Sequence, residues 1–467
     1  MRSVVNQRTR VANRLVGCMG LALALGGISM ATGTDSAFAQ APAPAPVPGR
    51  QAGDAELDRL FALMLRDPTN LDIMFQYAQV AIQIGNYDAA IGTLSRMLLF
   101  NPDLPRVRLE LGAIYFQLGS YPAAKSFITQ ALESRDMPPD VRERATALLA
   151  EIERRSAKSV VSGSIGGGVR WQQNANSGPT GSNVRALGQD ATISDQFANQ
   201  NDWNIFALAQ VQHVYNFDNI DHDTFETTAA FYGTRQEQLH RLNVALMEIT
   251  GGPRFQLGDT GPGTASWRPY LLANTIGLGN SRYYNTFGAG IGLSQAVGER
   301  AQLDVTLERR EKRFRNNAER PFASDRDGGE TSGLVVARVR TSAETVVSVG
   351  GGVADDNARE RFWDSTQWTG FGSATYLFDP DLWPISQPWS LTATVIRMLT
   401  DFDAPDPSVD PNTTRADREW RYLLVGNVPI TDDLSFFTQA QRSRVDSNLP
   451  NFKYNNWAFT SGLSLRF

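Results

Sequence analysis

The residues from Trp457 to Phe467 alternate between apolar and polar positions. Five large apolar residues fall on one side of a two-residue period that only Ser461 breaks: Trp457, Phe459, Leu463, Leu465 and Phe467. Such alternation predicts a β-strand with one apolar and one polar face. A strand that ends on an aromatic carboxy-terminal residue is typical of the closing strand of a membrane barrel, with Phe467 as the insertion signal. The last strand of a soluble sandwich is the alternative.

Similar alternating segments fill the chain from residue 157 onward, separated by Gly, Asn, Asp and Pro. We count fourteen, and an even number lets a single-chain outer-membrane barrel return to its starting side. The sequence therefore predicts an antiparallel transmembrane β-barrel of about 14 strands over residues 157–467. The segments begin near Val160, Asp202, Asp223, Leu239, Arg268, Arg282, Arg300, Thr331, Glu344, Ser365, Pro388, Asp417, Leu434 and Tyr454.

The connections between these segments alternate in length. One set contains long stretches such as Asn174–Asn201, Arg315–Glu330 and Asp401–Ala416, whereas the other contains tight ones such as Val297–Glu299. Long outer loops and short inner turns are expected of an outer-membrane barrel. Gly251–Trp267 is predicted as a long connection on the short side. It and Asn174–Asn201 are the segments that could plug the barrel.

Charge decides which face of each strand meets lipid. A basic residue on the lipid face at mid-bilayer costs about 2–4 kcal/mol, so charged positions should point into the lumen. Since both signs of charge occur there, we expect salt bridges rather than an ion-selective filter. The predicted lumen residues are Asp304, Glu308, Arg338, Arg340, Glu419 and Arg421.

A different pattern occupies residues 54–156, where helical periodicity repeats every 34 residues. Gly85-Asn86-Tyr87 recurs as Gly119-Ser120-Tyr121, and Pro68 recurs as Pro102. A 34-residue period with small residues where paired helices touch is the tetratricopeptide pattern. The fold class is therefore α + β multidomain, with an N-terminal α-helical tetratricopeptide solenoid followed by the barrel.

Stacked repeats of this kind have a concave side formed by their first helices. The alternative for the aromatic residues on that side is a purely structural place in the core. Because acidic and basic residues are nearly balanced over residues 54–156, a ligand would be held by shape and apolar contact. The candidate cargo-groove residues are Asp72, Phe75, Gln79 and Ile82 from one repeat and Arg106, Leu109, Ala113 and Phe116 from the next.

The amino terminus is typical of a secretory signal. Four arginines precede a short apolar run, and Ala37-Phe38-Ala39 fits a signal cleavage site, so residues 1–39 are predicted to be removed. Residues 40–53 are a Pro/Ala-rich linker. Cys18 is the single cysteine and lies in the predicted signal. Loss of four arginines and Asp35 changes the formal charge from −5 to −8, which does not favour nucleic acid as a partner.

The sequence offers no catalytic centre, cofactor motif or metal-ligand spacing, so we expect a protein that is not an enzyme. Glycine runs such as Gly288–Gly292 do not open a helix after a strand, which a nucleotide loop requires. His240, near an outer rim, could serve as the base of a barrel-embedded lipase, but no paired serine is evident.

The order of signal peptide, short tetratricopeptide region and carboxy-terminal barrel resembles the Slam-type family of surface lipoprotein assembly modulators. The resemblance is most specific at the junction, where VRLELGAIYFQLGSYPAAKSFITQAL and PPDVRERATALLAEIERR precede VSGSIGGGVRWQQNANSGP. The last stretch contains Asn174-Ala175-Asn176, similar to the Asn-x-Asn that ends the first strand in this family.

This resemblance implies an outer-membrane translocator with its N-terminal domain in the periplasm. Its partners would be a secreted protein or lipoprotein cargo, a periplasmic chaperone, the barrel-assembly machinery and outer-membrane lipid, with no nucleic acid. An exopolysaccharide export barrel and a diffusion porin remain alternatives. Cargo could cross unfolded through the lumen, or the first and last strands could part, which a cross-link from Val161 to the last strand would test.

Overall fold

The structure, a computed structural model, describes residues 50–134, 137–217, 223–261, 263–380 and 387–467. The predicted signal peptide, Cys18 and most of the predicted linker lie outside these residues. The described chain divides into two compact units, which meet in sequence between Val160 and Val161.

The first unit is helical. In its described residues six helices follow one another: α1 (Arg50–Arg66), α2 (Leu71–Gln83), α3 (Tyr87–Phe100), α4 (Pro105–Gln117), α5 (Tyr121–Leu132) and α6 (Pro139–Arg155). Helix α1 thus begins four residues before Asp54, where the helical pattern of the sequence begins. None of the helices in the described residues has both the length and the apolarity needed to cross a membrane.

The 34-residue period is built from equivalent turns and contacts. Gly85 and Gly119 follow α2 and α4 with φ of +79° and +76°, the left-handed conformation that favours glycine at the end of a helix. Gly112 lets α4 and α5 pack closely, because a Cβ there would lie 2.4 Å from the Ile128 side chain. The small residue at the equivalent position, Ala78, is fully buried. The tetratricopeptide prediction is confirmed.

The second unit is a closed antiparallel barrel. Its fourteen strands in the described chain are β1 (Ser159–Gln172), β4 (Asp202–Asn216), β5 (Thr224–Gln236), β6 (Val244–Asp259), β7 (Thr264–Leu278), β8 (Ser281–Val297), β9 (Ala301–Phe314), β10 (Gly328–Arg340), β11 (Thr345–Ala358), β12 (Ser365–Phe378), β13 (Trp389–Phe402), β14 (Ala416–Pro429), β15 (Leu434–Ser447) and β16 (Tyr454–Arg466). A separate hairpin joins β2 (Asn183–Ala186) to β3 (Gln189–Thr192). The predicted strand number is confirmed.

Alternate connections share a rim because consecutive strands are antiparallel. The loop rim carries 173–201, 237–243, 279–280, 315–327, 359–364, 403–415 and 448–453. The turn rim carries the opposite set, of which 298–300, 341–344 and 430–433 are fully described and short. The first residues of β1 and the end of β16 also lie at the turn rim. Among the fully described connections, the predicted asymmetry in length is therefore present.

One predicted connection is wrong. Most of Gly251–Trp267 lies in strands, since β6 continues to Asp259 and β7 begins at Thr264. Glycine and proline density suggested a loop, but here two neighbouring strands approach closely: a Cβ at Gly252 would lie 2.0 Å from the Pro269 carbonyl oxygen. The β6–β7 pairing is interrupted around Pro253, which lacks an N–H, and its register shifts between Gln256 and Gly258. This segment therefore forms part of the barrel wall and does not plug the lumen.

The two faces of each strand differ as the sequence predicts. Large apolar side chains on one face are exposed to the surroundings, among them Leu307 (53%), Val349 (58%) and Trp368 (57%). The alternate residues face the lumen and include most of the charged ones. A closed barrel with an apolar outer face is suited to an outer membrane.

Candidate functional site

The seam where β1 meets β16 closes the barrel. Nine residue pairs join the two strands, from Ser164 opposite Arg466 to Gln172 opposite Ala458. Near its middle Gly168 faces Gly462, and their backbones are too close for side chains. A Cβ at Gly168 would lie 2.0 Å from the Ser461 carbonyl oxygen, and one at Gly462 would lie 2.4 Å from that of Gly167. The centre of the seam therefore has backbone hydrogen bonds but little side-chain packing between its own strands.

Side chains from flanking strands cover these glycines on the lumen side. The rings of Phe206 on β4 and Phe437 on β15 approach to 6.2 Å across the seam. Arg170 of β1 donates to Thr460 Oγ1 on β16 (3.2 Å) and to the Tyr232 hydroxyl on β5 (3.0 Å). Its guanidinium also lies over the Phe206 ring. The seam is thus held partly by strands on either side of it.

The proposed cross-link from Val161 does not fit the observed register. Gly163 and Phe467 exchange both backbone hydrogen bonds, so the last strand ends opposite residue 163. Val161 has no facing position on β16. Because hydrogen-bonded pairs alternate along the seam, Gln172 and Ala458 form a pair of the other type, in which side chains are closer. They are a suitable site for a disulfide.

The long connection after β1 crosses the seam at the loop rim. We call residues 174–201 the strap. At its base Asn174 is fully buried; its side-chain amide donates to the Asn455 carbonyl, and its backbone N–H donates to Asn456 Oδ1. Asn176 accepts from the Gln200 N–H and donates to the Ala198 carbonyl, which closes the strap on itself. The Asn-x-Asn motif therefore fixes the strap to the start of β16.

Further along, the strap reaches loops 403–415 and 448–453. Arg185 donates to Asp410 Oδ2 at 3.1 Å and to Asp190 Oδ1 at 2.7 Å. Its backbone exchanges hydrogen bonds with the Asn451 side chain. A hydrogen bond from the Asn412 backbone N–H lowers the pKa of Asp410 below its ordinary value. The hydrogen bond from Arg185 lowers this pKa further, with a smaller effect. No sequence signal pointed to Arg185, Asp410 or Asn451, whose contacts join residues more than 200 positions apart.

The lumen is filled near the loop rim. Lumen-facing Phe206, Ile276, Arg421 and Asn456 are only 6, 0, 3 and 2% exposed. In an open aqueous channel such side chains would be exposed to water. Ala323 of loop 315–327 packs into the same apolar cluster as Phe206 and Ile276. This loop is tied in turn to loop 237–243 through Arg320, which donates to the Arg241 carbonyl.

Five of the six predicted lumen charges, Asp304, Glu308, Arg338, Glu419 and Arg421, lie in ion pairs along the wall. Asp304 pairs with Arg338 at 2.6 Å, and Glu419 pairs with Arg421 at 2.7 Å. Glu308 accepts from Arg310 and from the Tyr270 hydroxyl. Arg340 lies two residues beyond Arg338, at the end of β10. The structure thus brings these residues into local pairs rather than into one charged ring.

A second set of lumen pairs was not singled out from the sequence. Glu226 on β5 pairs with Arg254 on β6 and with Arg268 on β7, and Arg310 on β9 reaches Glu248 on β6. The Glu226–Arg268 and Arg310–Glu248 pairs join strands that are not neighbours. Only the barrel's curvature brings them together, so sequence spacing gives no signal for them.

The predicted groove residues of the helical unit differ in accessibility. Asp72, Gln79 and Arg106 are exposed. Phe75, Ile82 and Phe116 are partly buried against the two helical cores, and Ala113 is intermediate. Leu109 is 3% exposed and belongs to the core, which leaves it no surface for a ligand. Arg106 lies 3.9 Å from Asp140, so equivalent positions on α4 and α6 adjoin.

Exposed leucines form a second candidate surface on the helical unit. Leu65 on α1 and Leu99 on α3 are 67% and 84% exposed and occupy equivalent positions 34 residues apart. Each leucine lies shortly before a proline of the 34-residue period, Pro68 or Pro102, near the end of a second helix. The 34-residue pattern pointed only to the first-helix side, so these leucines were not predicted.

His240 lines a cleft of about 710 Å³ at the loop rim, together with Arg235, Asn243, Asn280 and Ser281. Ser281 is engaged elsewhere, since its hydroxyl donates to the Leu278 carbonyl and accepts from the Asn317 amide. The Ser281 hydroxyl is therefore held by the neighbouring loops.

Comparisons with known proteins match the helical unit. The tetratricopeptide repeat family matches residues 55–108. Solved structures with similar helices include the Yersinia enterocolitica type III secretion chaperone SycD with a peptide of the translocator YopD (22% identity, 23% of this chain, 86% of that chain, TM-score 0.21). PcrH from Pseudomonas aeruginosa (23%, 22%, 83%, 0.21) and the first TPR of Spaghetti (RPAP3) bound to an HSP90 peptide (20%, 23%, 82%, 0.21) are others. No curated protein sequence matches this chain.

Proposed function

We propose that this chain is an outer-membrane translocator, similar in role to the Slam-type family that its architecture resembles. In this proposal the helical unit lies in the periplasm and receives a secreted protein, such as a lipoprotein, directly or from a chaperone. The barrel then passes this cargo to the cell surface. A tetratricopeptide region followed by a closed fourteen-stranded barrel is compatible with such a role and supports the proposal.

The observation that carries the proposal is the contrast between the filled lumen and the sparsely packed seam. Lumen-facing side chains near the loop rim are buried, which is unfavourable for a diffusion porin. The seam has glycines on both strands and is covered by contacts from its flanks. Fourteen strands also enclose less space than the 16–18-stranded porins that leave an aqueous channel. We infer that cargo leaves between β1 and β16, with the strap moving aside.

The helical unit offers two surfaces for the cargo or its chaperone. The first-helix side presents Asp72, Gln79 and Arg106, and the second-helix side presents Leu65 and Leu99. The apolar pair buries more apolar area on binding, but the first-helix side is the concave face. Separate variants of each side can tell them apart.

The test is surface protease shaving with mass spectrometry, in cells that lack the protein and in cells that express variants of it. We expect one or two surface proteins to disappear without the protein and to return with the full chain. Asp72→Ala/Gln79→Ala/Arg106→Ala and Leu65→Gln/Leu99→Gln test the two surfaces. The variant of the surface that receives cargo should fail to restore export.

An unchanged surface proteome in cells that lack the protein would refute the translocator. Bilayer conductance of the purified chain and surface glycan measurements in the same cells would then decide between a porin and a polysaccharide exporter. If both surface variants restore export, only the proposed role of the helical unit would be refuted, and the role of the barrel would stand. Each outcome thus concerns a separate part of the proposal.

A further inference from the structure

Outward-facing arginines and aromatic residues gather on strands β13–β16, next to the seam. In register, Arg397, Trp420 and Arg444 lie side by side on β13, β14 and β15. Two residues further from the loop rim, Tyr422, Arg442 and Trp457 form the next row on β14, β15 and β16. The row after that, Leu424, Ala440 and Phe459, is apolar. The two mixed rows therefore mark where the apolar belt ends.

Two of these arginines are held over aromatic rings. The Arg397 guanidinium lies 4.7 Å from the centre of the Trp420 ring, and that of Arg442 lies 5.0 Å from the centre of the Trp457 ring. Trp420 and Tyr422 stack between them with ring planes 12° apart. These contacts orient both cations without using their N–H donors.

Their charges are not neutralised by the protein. Within the part of the chain that the structure describes, Arg397 and Arg442 form neither ion pairs nor hydrogen bonds. Neighbouring outward arginines differ: Arg418 pairs with Asp401 at 2.8 Å, and Arg444 pairs with Asp446 at 2.9 Å. Thus Arg418 and Arg444 have carboxylate partners, whereas Arg397 and Arg442 keep all their N–H groups available.

From this geometry we propose that Arg397 and Arg442 bind the phosphate groups of a phosphorylated lipid of the outer leaflet. Adjacent strands lie about 4.8 Å apart and two residues span about 6.8 Å along a strand. Arg397 and Arg442, two strands and two residues apart, are therefore about 12 Å apart at their backbones and suit a headgroup that carries two phosphates. Arginine binds phosphate through paired N–H donors, and the aromatic residues would contact the sugar and upper acyl chains. The inference rests on the proposed outer-membrane placement of the barrel, but not on any cargo.

The proposed lipid site on β13–β16 lies beside the seam. Trp457 belongs to β16, and on the same outer face Phe459 stacks with Trp171 of β1 at 6.0 Å. A lipid held at β13–β16 would lie against the strand that must separate from β1. The site is therefore positioned to link lipid binding to the stability of the closed barrel.

The experiment titrates the delipidated full chain, in neutral detergent, with diphosphorylated lipid A and with the same lipid lacking phosphates, by native mass spectrometry. Arg397→Gln/Arg442→Gln should lower affinity for the diphosphorylated lipid by about tenfold or more, because two charge-assisted contacts are lost. Affinity for the dephosphorylated lipid should not change. The matched control, Arg309→Gln/Arg418→Gln, removes the same charge from arginines that already have carboxylate partners.

Equal affinities for the lipid in wild type and in the Arg397/Arg442 variant would overturn the site, as would an equal loss in the control. Displacement of the lipid by inorganic phosphate at millimolar concentration would show that the anion comes from solution. If the glutamine variant does not fold, Arg397→Lys/Arg442→Lys keeps the charge and should still weaken binding measurably. The lipid titration contains no cargo, so it is independent of the export assay. A variant that loses lipid binding but exports normally, or the reverse, would separate this inference from the translocator proposal.

Discussion

Gly168 and Gly462 determine how closely the first and last strands approach. Their missing side chains allow a backbone contact that no other residue permits, and Phe206 and Phe437 close over the gap. The alternation of β16 was predictable because it depends only on local sequence. The role of Gly462 was not predictable, because it depends on a partner strand almost 300 residues away in the sequence.

A methyl group at this point should loosen the seam. Gly168→Ala places a Cβ against the Ser461 carbonyl, so the strands must shift, at a cost of about 1–3 kcal/mol in the free energy of unfolding. Urea unfolding of the purified chain in detergent measures this difference. Gly370→Ala is the matched control, because a Cβ there meets nothing within 4 Å. Equal stability of the two variants would show that the seam tolerates side chains.

The strap is the element whose role depends most on long-range contacts. Its base could be anticipated from Asn174 and Asn176, but its attachment to loop 403–415 could not. The starts of the barrel strands were predictable to within about five residues, because strand alternation is local. The error at Gly251–Trp267 arose because glycine and proline serve close approaches of neighbouring strands as well as turns.

Removal of the Arg185 side chain should free the outer half of the strap. Arg185→Ala loses the hydrogen bonds to Asp410, Asp190 and the Gly188 carbonyl. We expect faster hydrogen exchange at the Leu187 and Gly188 amides, which donate to the Ser408 and Val409 carbonyls. Arg359→Ala, at another loop of the same rim, should leave these amides unchanged. Unaltered exchange in Arg185→Ala would mean that backbone contacts alone hold the strap.

Acid should release the strap only below the ordinary range of an aspartate. The pKa of Asp410 is lowered in the folded state, so its stabilising effect is full above the unfolded pKa, about 3.9. The effect is lost as pH falls through the lower folded value. A fluorophore at Leu187→Cys, which is exposed, should report constant anisotropy from neutral pH down to about 4, then a fall. In Asp410→Asn this transition should vanish; its persistence would assign it to another group.

At the scale of the whole molecule, the chain joins a tetratricopeptide unit to a barrel whose lumen is filled near the loop rim. Composition and periodicity predicted both units, because each repeats a local pattern many times. They could not predict that the lumen charges would pair locally or that loops would cover the loop rim, since these follow from curvature and closure. For the molecule as a whole, we infer that cargo passes where β1 and β16 separate.

A reversible disulfide across the seam tests that claim most directly. The chain has a single cysteine, Cys18, in the predicted signal, so Gln172→Cys/Ala458→Cys would be the only pair in the mature protein. The control pair, Thr375→Cys/Thr392→Cys, links β12 to β13, where the two hydroxyls lie 2.9 Å apart. Surface shaving should show that the locked seam abolishes export, that reduction restores it, and that the control pair exports normally. Undiminished export from a fully oxidised seam would contradict the account.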